Sequence, residues 1–151
     1  MFDTIAGLPV HALVVHAIVV GVPVMAILTV LVAARPSWRG RAGWVVAVLN
    51  VLLFLGSLVA KESGDALAQR VGHGVVQTHQ SLGEVLPWFV FAMAAVSVLV
   101  PLLRHRRPLA TVVLAATVAA AVANVWWVVR VGDSGARAVW ESVVQHTDPA
   151  R

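Results

Sequence analysis

Apolar residues in this chain do not alternate with polar ones but collect in four long runs, at 8–34, 44–60, 85–103 and 109–129, separated by short polar stretches. Each run is close to the roughly 20 residues that carry an α-helix across the hydrocarbon core of a bilayer. The pattern predicts four transmembrane helices in one bundle, with all 151 residues in a single transmembrane domain. The second run is the shortest, about 25 Å of helix, and is lengthened at its ends by Trp44 at the interface and by the stem of Lys61. Pro23 predicts a kink in the first helix, while Gly21, Gly56 and the alanine-rich stretch 115–123 predict close-packing surfaces.

Composition agrees with the pattern. The chain is 60% hydrophobic and 12% charged, with a mean hydropathy of +0.88, against about 45–50% and about 25% in soluble proteins. The sequence pI of about 11.4 does not point to nucleic acid, because the basic residues form two short clusters between apolar runs rather than a soluble face. Cysteine is absent, which excludes disulfides, thiolate ligands and thiol nucleophiles and leaves His, Asp, Glu or Met for any metal chemistry. The flank "MFDTIAGLP" carries Asp3 and no Lys or Arg, and the run behind it is too long for a cleavable signal, so the first helix is expected to be retained.

Charge gives the topology. Arg35, Arg39 and Arg41 lie in one connection and Arg104, Arg106 and Arg107 in the other, with no acid in either. Both arginine loops are therefore expected in the cytoplasm and the protein in the plasma membrane as a multi-pass chain. Both termini and the 61–84 loop are then external, with Lys61, Arg70, Arg130, Arg137 and Arg151 and all seven acids: Asp3, Glu62, Asp65, Glu84, Asp133, Glu141 and Asp148. Trp38, Trp44, Trp88, Trp126 and Trp127 near the helix ends read as an aromatic belt.

The two halves carry the same features in the same order. "HALVVH", a helix, an arginine loop, a helix and "KESGDALAQRV" are succeeded by "HQSLGE", a helix, an arginine loop, a helix and "VGDSGARAVWESV". His11 and His16 correspond in spacing to His79 and Glu84, and Glu62-Ser63-Gly64 to Asp133-Ser134-Gly135. Two hairpins of the same orientation imply a pseudo-two-fold axis along the membrane normal. Gly64 and Gly135 read as helix ends, with Ser capping the next segment, so short amphipathic helices are expected on the outer interface after each.

The ionisable residues at the outer end are the candidate chemistry, since such groups in membrane segments are costly and usually face a bundle interior. A spacing of five residues turns a helix side chain by about 140°, so only one of His11 and His16 is expected to face inward. A helix N-terminus and desolvation both favour neutral imidazole, the form that binds metal or haem iron. One reading joins His11 or His16 to His79 as axial ligands of a b-type haem, with Lys61, Arg130 and Arg137 pairing its propionates and electron transfer to a membrane redox partner as the activity. A second gathers His11, His16, His79, Glu84, Glu62 and Asp133 around zinc, copper, iron or manganese. A third is an accessory subunit without chemistry, associating through its small-residue faces with another membrane protein or a second copy. Transport is disfavoured by the lack of charge at the membrane midplane, and no P-loop, dinucleotide fingerprint, nucleophile elbow or zinc-protease motif is present.

The stretches "GLPVHALVVHAIVV", "SGDALAQRV", "HQSLGE" and "VGDSGARAVW" resemble a bacterial polytopic membrane protein family, the one catalogued as domain of unknown function 2231. The resemblance spans nearly the whole chain. It implies a small membrane protein without an established activity, and its relatives joined to Rieske-type iron–sulfur domains imply redox work. Two positions depart from the family's pattern. Ala12 stands where many relatives have Pro, and Asp133 where the resemblance implies His in some, which replaces a fourth histidine ligand by a carboxylate.

Overall fold

The computed structural model describes residues 4–5, 8–71 and 73–147, and it is an all-α four-helix bundle. A two-residue antiparallel pairing of Thr4–Ile5 with Leu8–Pro9 leads into α1, Val10–Ala34. α2 is Arg41–Val71, α3 is His73–Leu102 and α4 is Arg107–Thr147. The expected positions of Asp3, Asp148 and Arg151, and the side chains of Arg70 and Glu141, lie outside the described residues.

The arginine turns have local causes. Pro36 disfavours helix in the residue before it, and Arg35 accordingly adopts an extended backbone at φ −104°, ψ 107°. The orphaned carbonyl of Ala33 is taken up by Arg39, whose Nε donates to it at 2.8 Å. α1 continues through Pro23 and α3 through Pro87, a tolerance common in membrane helices, where neighbours satisfy the freed carbonyls.

The helices contact in the order α1–α2–α3–α4 and back to α1, with α1 and α3 the closer diagonal pair. The two arginine loops fall at one end of the bundle, the arginine end, and His11 and His79 at the other, the histidine end. Large apolar side chains cover the outside, Val20, Ile27, Leu52, Val112, Val122 and Val129 among them. That surface would be an aggregation hazard in water and is what a lipid-facing surface requires. All four helices contain spans long and apolar enough to cross a bilayer, namely His11–Ala34, Arg41–Gln69, Gln77–Leu102 and Arg107–Trp140. Trp38 and Trp44 are exposed at the arginine end as a belt demands, and Trp88 and Trp126 are exposed but fall near the middle of α3 and α4, because those helices run on past the apolar runs. Trp127 turns inward, donates its Nε1–H to the Leu82 carbonyl at 3.0 Å and stacks on Phe89.

Burial repeats with the internal repeat. The buried residues of α1, which are Ile18, Val22, Met25, Ala26, Thr29, Val32 and Ala33, each have a buried counterpart 68 residues later in α3: Leu86, Val90, Met93, Ala94, Ser97, Val100 and Pro101. In α2 and α4 the offset is 71, pairing Val46 with Thr117, Asn50 with Ala121, Ser57 with Val128 and Ala60 with Val131. The two hairpins therefore present corresponding faces to each other, as a pseudo-two-fold arrangement requires.

Two expectations are corrected. The outer segments after Gly64 and Gly135 are not separate helices lying on the interface; α2 and α4 run through them unbroken, and α3 begins at His73, so the expected 61–84 loop is almost wholly helical. At about 1.5 Å per residue α2 is about 46 Å long and α4 about 60 Å, well beyond a hydrocarbon core of roughly 30 Å. Each extension carries an i, i+4 ion pair that supports helix, Lys61–Asp65 at 3.1 Å and Arg137–Asp133 at 2.9 Å. The second correction concerns Gly21 and Gly56. A Cβ would stand 2.9 Å from Leu53 at Gly21 and 3.3 Å from Ile18 at Gly56, so both pack α1 against α2 inside the chain rather than offering a face to another protein.

Candidate functional site

His11 lies on the first turns of α1 and is half-buried. Its Nδ1 is 3.0 Å from the Ala60 carbonyl on α2 and 3.4 Å from Ser63 Oγ, while the Ser63 hydroxyl donates to the same carbonyl at 3.1 Å. The ring lies against Gly64, where any Cβ would be 2.9 Å from its Cε1. His79 on α3 repeats the arrangement against α4. Nδ1 is 3.0 Å from the Val131 carbonyl and 3.2 Å from Ser134 Oγ, Ser134 donates to Val131 at 2.8 Å, and a Cβ on Gly135 would be 3.0 Å from the ring. The two imidazoles meet across the pseudo-axis with centroids 6.2 Å apart and planes at 77°.

This geometry assigns the tautomer. A carbonyl oxygen only accepts, so the proton of each neutral ring sits on Nδ1 and Nε2 carries the lone pair. Among the described residues neither Nε2 has a hydrogen-bond partner. A histidine whose Nδ1–H is held by a backbone carbonyl has its ring orientation fixed and its other nitrogen made more basic, the usual support of a ligating imidazole.

Of the remaining candidates, Lys61 and Glu84 line a cleft on one side of this pair and Arg130, Asp133 and Arg137 a groove beside His79, while His16 and Glu62 line neither. His16 is exposed, and its Nδ1 turns back to the Ala12 carbonyl one turn earlier in α1, so of the two histidines in "HALVVH" it is His11 that faces His79. Glu62 is exposed and 3.6 Å from Lys61. Asp133 is exposed and paired with Arg137, and Arg130 stacks its guanidinium 5.2 Å from the centre of the Trp126 ring. Arg130, Asp133 and Arg137 share with His79 an open groove of about 290 Å³ between α3 and α4. Among the described residues no three His, Asp or Glu side chains are close enough to hold one metal ion together.

On the other side of the pair lies a cleft of about 90 Å³ between α1, α2 and α3. Its inner walls are apolar, with Val15, Ile18, Val19, Leu86 and Val131, and toward its mouth lie His11, His79, Lys61, Asp65, Gln80 and Glu84. Asp65 joins the rim: Oδ2 pairs with Lys61 and Oδ1 accepts from Gln80 Nε2 at 3.1 Å, bridging α2 to α3. Neither Asp65 nor Gln80 stands out in the sequence; the i, i+4 spacing of Lys61 and Asp65 is the available signal for the first, and nothing local marks the second. Ser63, Ser134 and the two glycines are visible as a repeated Ser-Gly that reads as a helix cap, whereas they form the seats of the histidine rings.

Four membrane-length helices, an internal dyad and a half-buried histidine pair at one end define a multi-pass membrane bundle built from two similar helical hairpins. The chain belongs to the predicted membrane protein family catalogued as domain of unknown function 2231, whose pattern matches residues 7–148. No curated protein and no solved structure matches it.

Proposed function

We propose that this membrane protein binds a small ligand at its histidine end, with His11 and His79 as the recognising groups, and that this end faces away from the cytoplasm. The observation that carries the reading is the duplicated seat of the two rings, each with Nδ1–H on a carbonyl and each with Nε2 left to meet something else. A carbonyl, a serine and a glycine arranged twice at the same repeat position are more than a single satisfied core histidine needs. The orientation rests on the six loop arginines at the opposite end. Native mass spectrometry of the detergent-purified protein tests the reading: a bound small molecule is expected on the wild type and missing from His11→Ala and His79→Ala. A wild-type mass equal to the bare chain under gentle extraction would sink it.

The b-type haem is a second reading, favoured by the number of donors. Two imidazoles without a third protein ligand suit a group that brings its own four equatorial nitrogens, and two metal–nitrogen bonds of about 2 Å give ring centroids roughly 6 Å apart, as found here. A cleft of about 90 Å³ does not admit a macrocycle, since sites for drug-sized ligands occupy roughly 300–1,000 Å³. The haem reading therefore requires the helices around the pair to open at this end while the two rings keep their separation, and it brings with it a redox partner in the same membrane. An absorption spectrum after haem-replete expression decides it, because the absence of a Soret band there and on reconstitution ends the idea. A bare zinc, copper, iron or manganese ion would find two protein donors where three or four are usual, with Glu84 and Asp65 as the carboxylates that line the same cleft.

A further inference from the structure

The internal dyad should generate two equivalent clefts, one on each flank of the histidine pair, and the sequence has made them different. On the α1–α2–α3 flank the rim holds Lys61, Asp65, Gln80 and Glu84. The residues at the equivalent positions of the α3–α4–α1 flank, by the 71 and 68 residue offsets, are Gly132, Ala136, Ala12 and His16. One flank is polar at its mouth and apolar within; the other has exchanged those four polar positions for small residues and an exposed histidine, and its polar groups Arg130, Asp133 and Arg137 line a separate open groove beside His79. A duplicated scaffold that needed both rings only for packing would have no reason to furnish the two flanks so differently.

The furnished cleft restricts what it can take. Both histidines line it and both Nδ1 protons are already committed to carbonyls, so the nitrogens available to a ligand are acceptors and the ligand must donate. Its inner walls are aliphatic and reach Ile18 and Leu86 in the apolar spans, while its polar mouth lies where α2 leaves the lipid, so the ligand has a polar edge and an apolar body and enters at the bilayer surface. The volume of about 90 Å³ suits a single ring, with any tail left in lipid. A fatty acid is the wrong match: its carboxylate would face two lone pairs and the carboxylates of Asp65 and Glu84, while the cation on the rim, Lys61, is engaged by Asp65 and Glu62.

We infer that this cleft binds the hydroxylated ring of a membrane-dissolved hydroquinone, its hydroxyl hydrogens accepted by the Nε2 atoms of His11 and His79. The inference rests on the reading of the histidine pair as a ligand site and adds to it the ligand class and the flank. It distinguishes the reduced ring from its oxidised form without any electron transfer, because a quinone carbonyl can only accept and would oppose the same lone pairs.

The test is equilibrium binding of a short-chain ubiquinol analogue, kept reduced without oxygen, to the full-length protein in lipid nanodiscs, compared with the oxidised analogue. The reduced form is expected to bind at least about tenfold more tightly, the equivalent of a hydrogen bond lost on oxidation, and to lose that preference in His79→Ala. Because a histidine variant can disturb the fold, Gly83→Leu supplies an independent arm. Gly83 lines the cleft and a Cβ there meets nothing within 4 Å, so a larger side chain fills the space while the rings stay in place. Binding should fall at least about tenfold in Gly83→Leu and persist in Gly132→Leu, a position equally open but on the other flank. Equal binding of the two redox forms, no binding of either, or binding unchanged in Gly83→Leu overturns the inference. If a small molecule still co-purifies and disappears in His79→Ala while the hydroquinone fails to bind, this inference falls and the ligand-site reading stands.

Discussion

Glycine has two uses in this chain, and the difference predicts opposite outcomes for one substitution. At Gly64 and Gly135 an added methyl would stand 2.9 Å and 3.0 Å from an imidazole carbon, closer than atoms pack, and the ring it strikes is tethered by its own hydrogen bond. Gly64→Ala and Gly135→Ala should each destabilise the protein by about 1–3 kcal/mol, the usual cost of overpacking. At Gly83 and Gly132 the same change meets open space within a helix and should be neutral or stabilise by about 0.5–1 kcal/mol. Thermal unfolding of the four variants in one detergent checks this, and a uniform response across them would contradict the seating of the rings. Asn50 is a second residue-scale case: fully buried, it donates to Thr29 and to the Val46 carbonyl, while its Oδ1 has no partner among the described residues. Replacing Thr29 by Val removes one of the amide's two acceptors and should cost about 1–3 kcal/mol, the penalty of orphaning a buried donor; a Tm equal to wild type would show the amide has another acceptor within reach.

At the scale of elements, hydropathy reads the membrane cores of the helices well and their ends poorly, for a physical reason. The runs report only where side chains must be apolar, and once α2 and α4 leave the lipid nothing obliges them to stay apolar, so Glu62, Asp65, Asp133 and Arg137 look like loop composition. Gly64 and Gly135 reinforce that error because glycine marks helix ends as well as close approach of another group, and one sequence cannot tell the two apart. What local sequence does contain is the pair of i, i+4 ion pairs, the weaker signal of continued helix. Spin labels placed singly from 61 to 69 should show accessibility with a period of 3.6 residues; a flat profile would restore the surface loop. The inward choice between His11 and His16 is legible only as a question, because the angle between them is set by helix geometry while its zero is set by packing against α2.

For the whole molecule the repeat is the most informative feature of the sequence, and the structure extends it from a few polar motifs to the full buried face of α1 and α3. It also sorts the polar contacts. The hydrogen bonds of His11 and Asn50 stay within α1–α2 and those of His79, Asn124 and Trp127 within α3–α4, while the bond from Gln80 to Asp65 crosses between hairpins. Apart from that bond and the edge contact of the two imidazoles, the core of the joint among the described residues is apolar, formed by Ile18, Val22, Leu86, Val90, Val128 and Val131. Packing of this kind is weaker in lipid than in water, because lipid tails solvate apolar side chains as well as the partner does. Asp65→Ala should therefore loosen the hairpins at the histidine end, seen as a wider distance distribution between labels on Glu62 and Ser81, with little change between labels on Arg41 and Leu102.

The histidine seats have a further consequence for how such a chain comes to exist in a cell. His11 finds its acceptor on the next helix in the chain, and His79 does the same 68 residues later, so neither Nδ1–H waits for the other half of the protein before it is paired. During synthesis the first hairpin can enter the bilayer with the His11 N–H and the Asn50 amide donors already paired while the second is still on the ribosome. Two separately translated pieces, cut at Gly72, should then each insert stably and find one another afterwards.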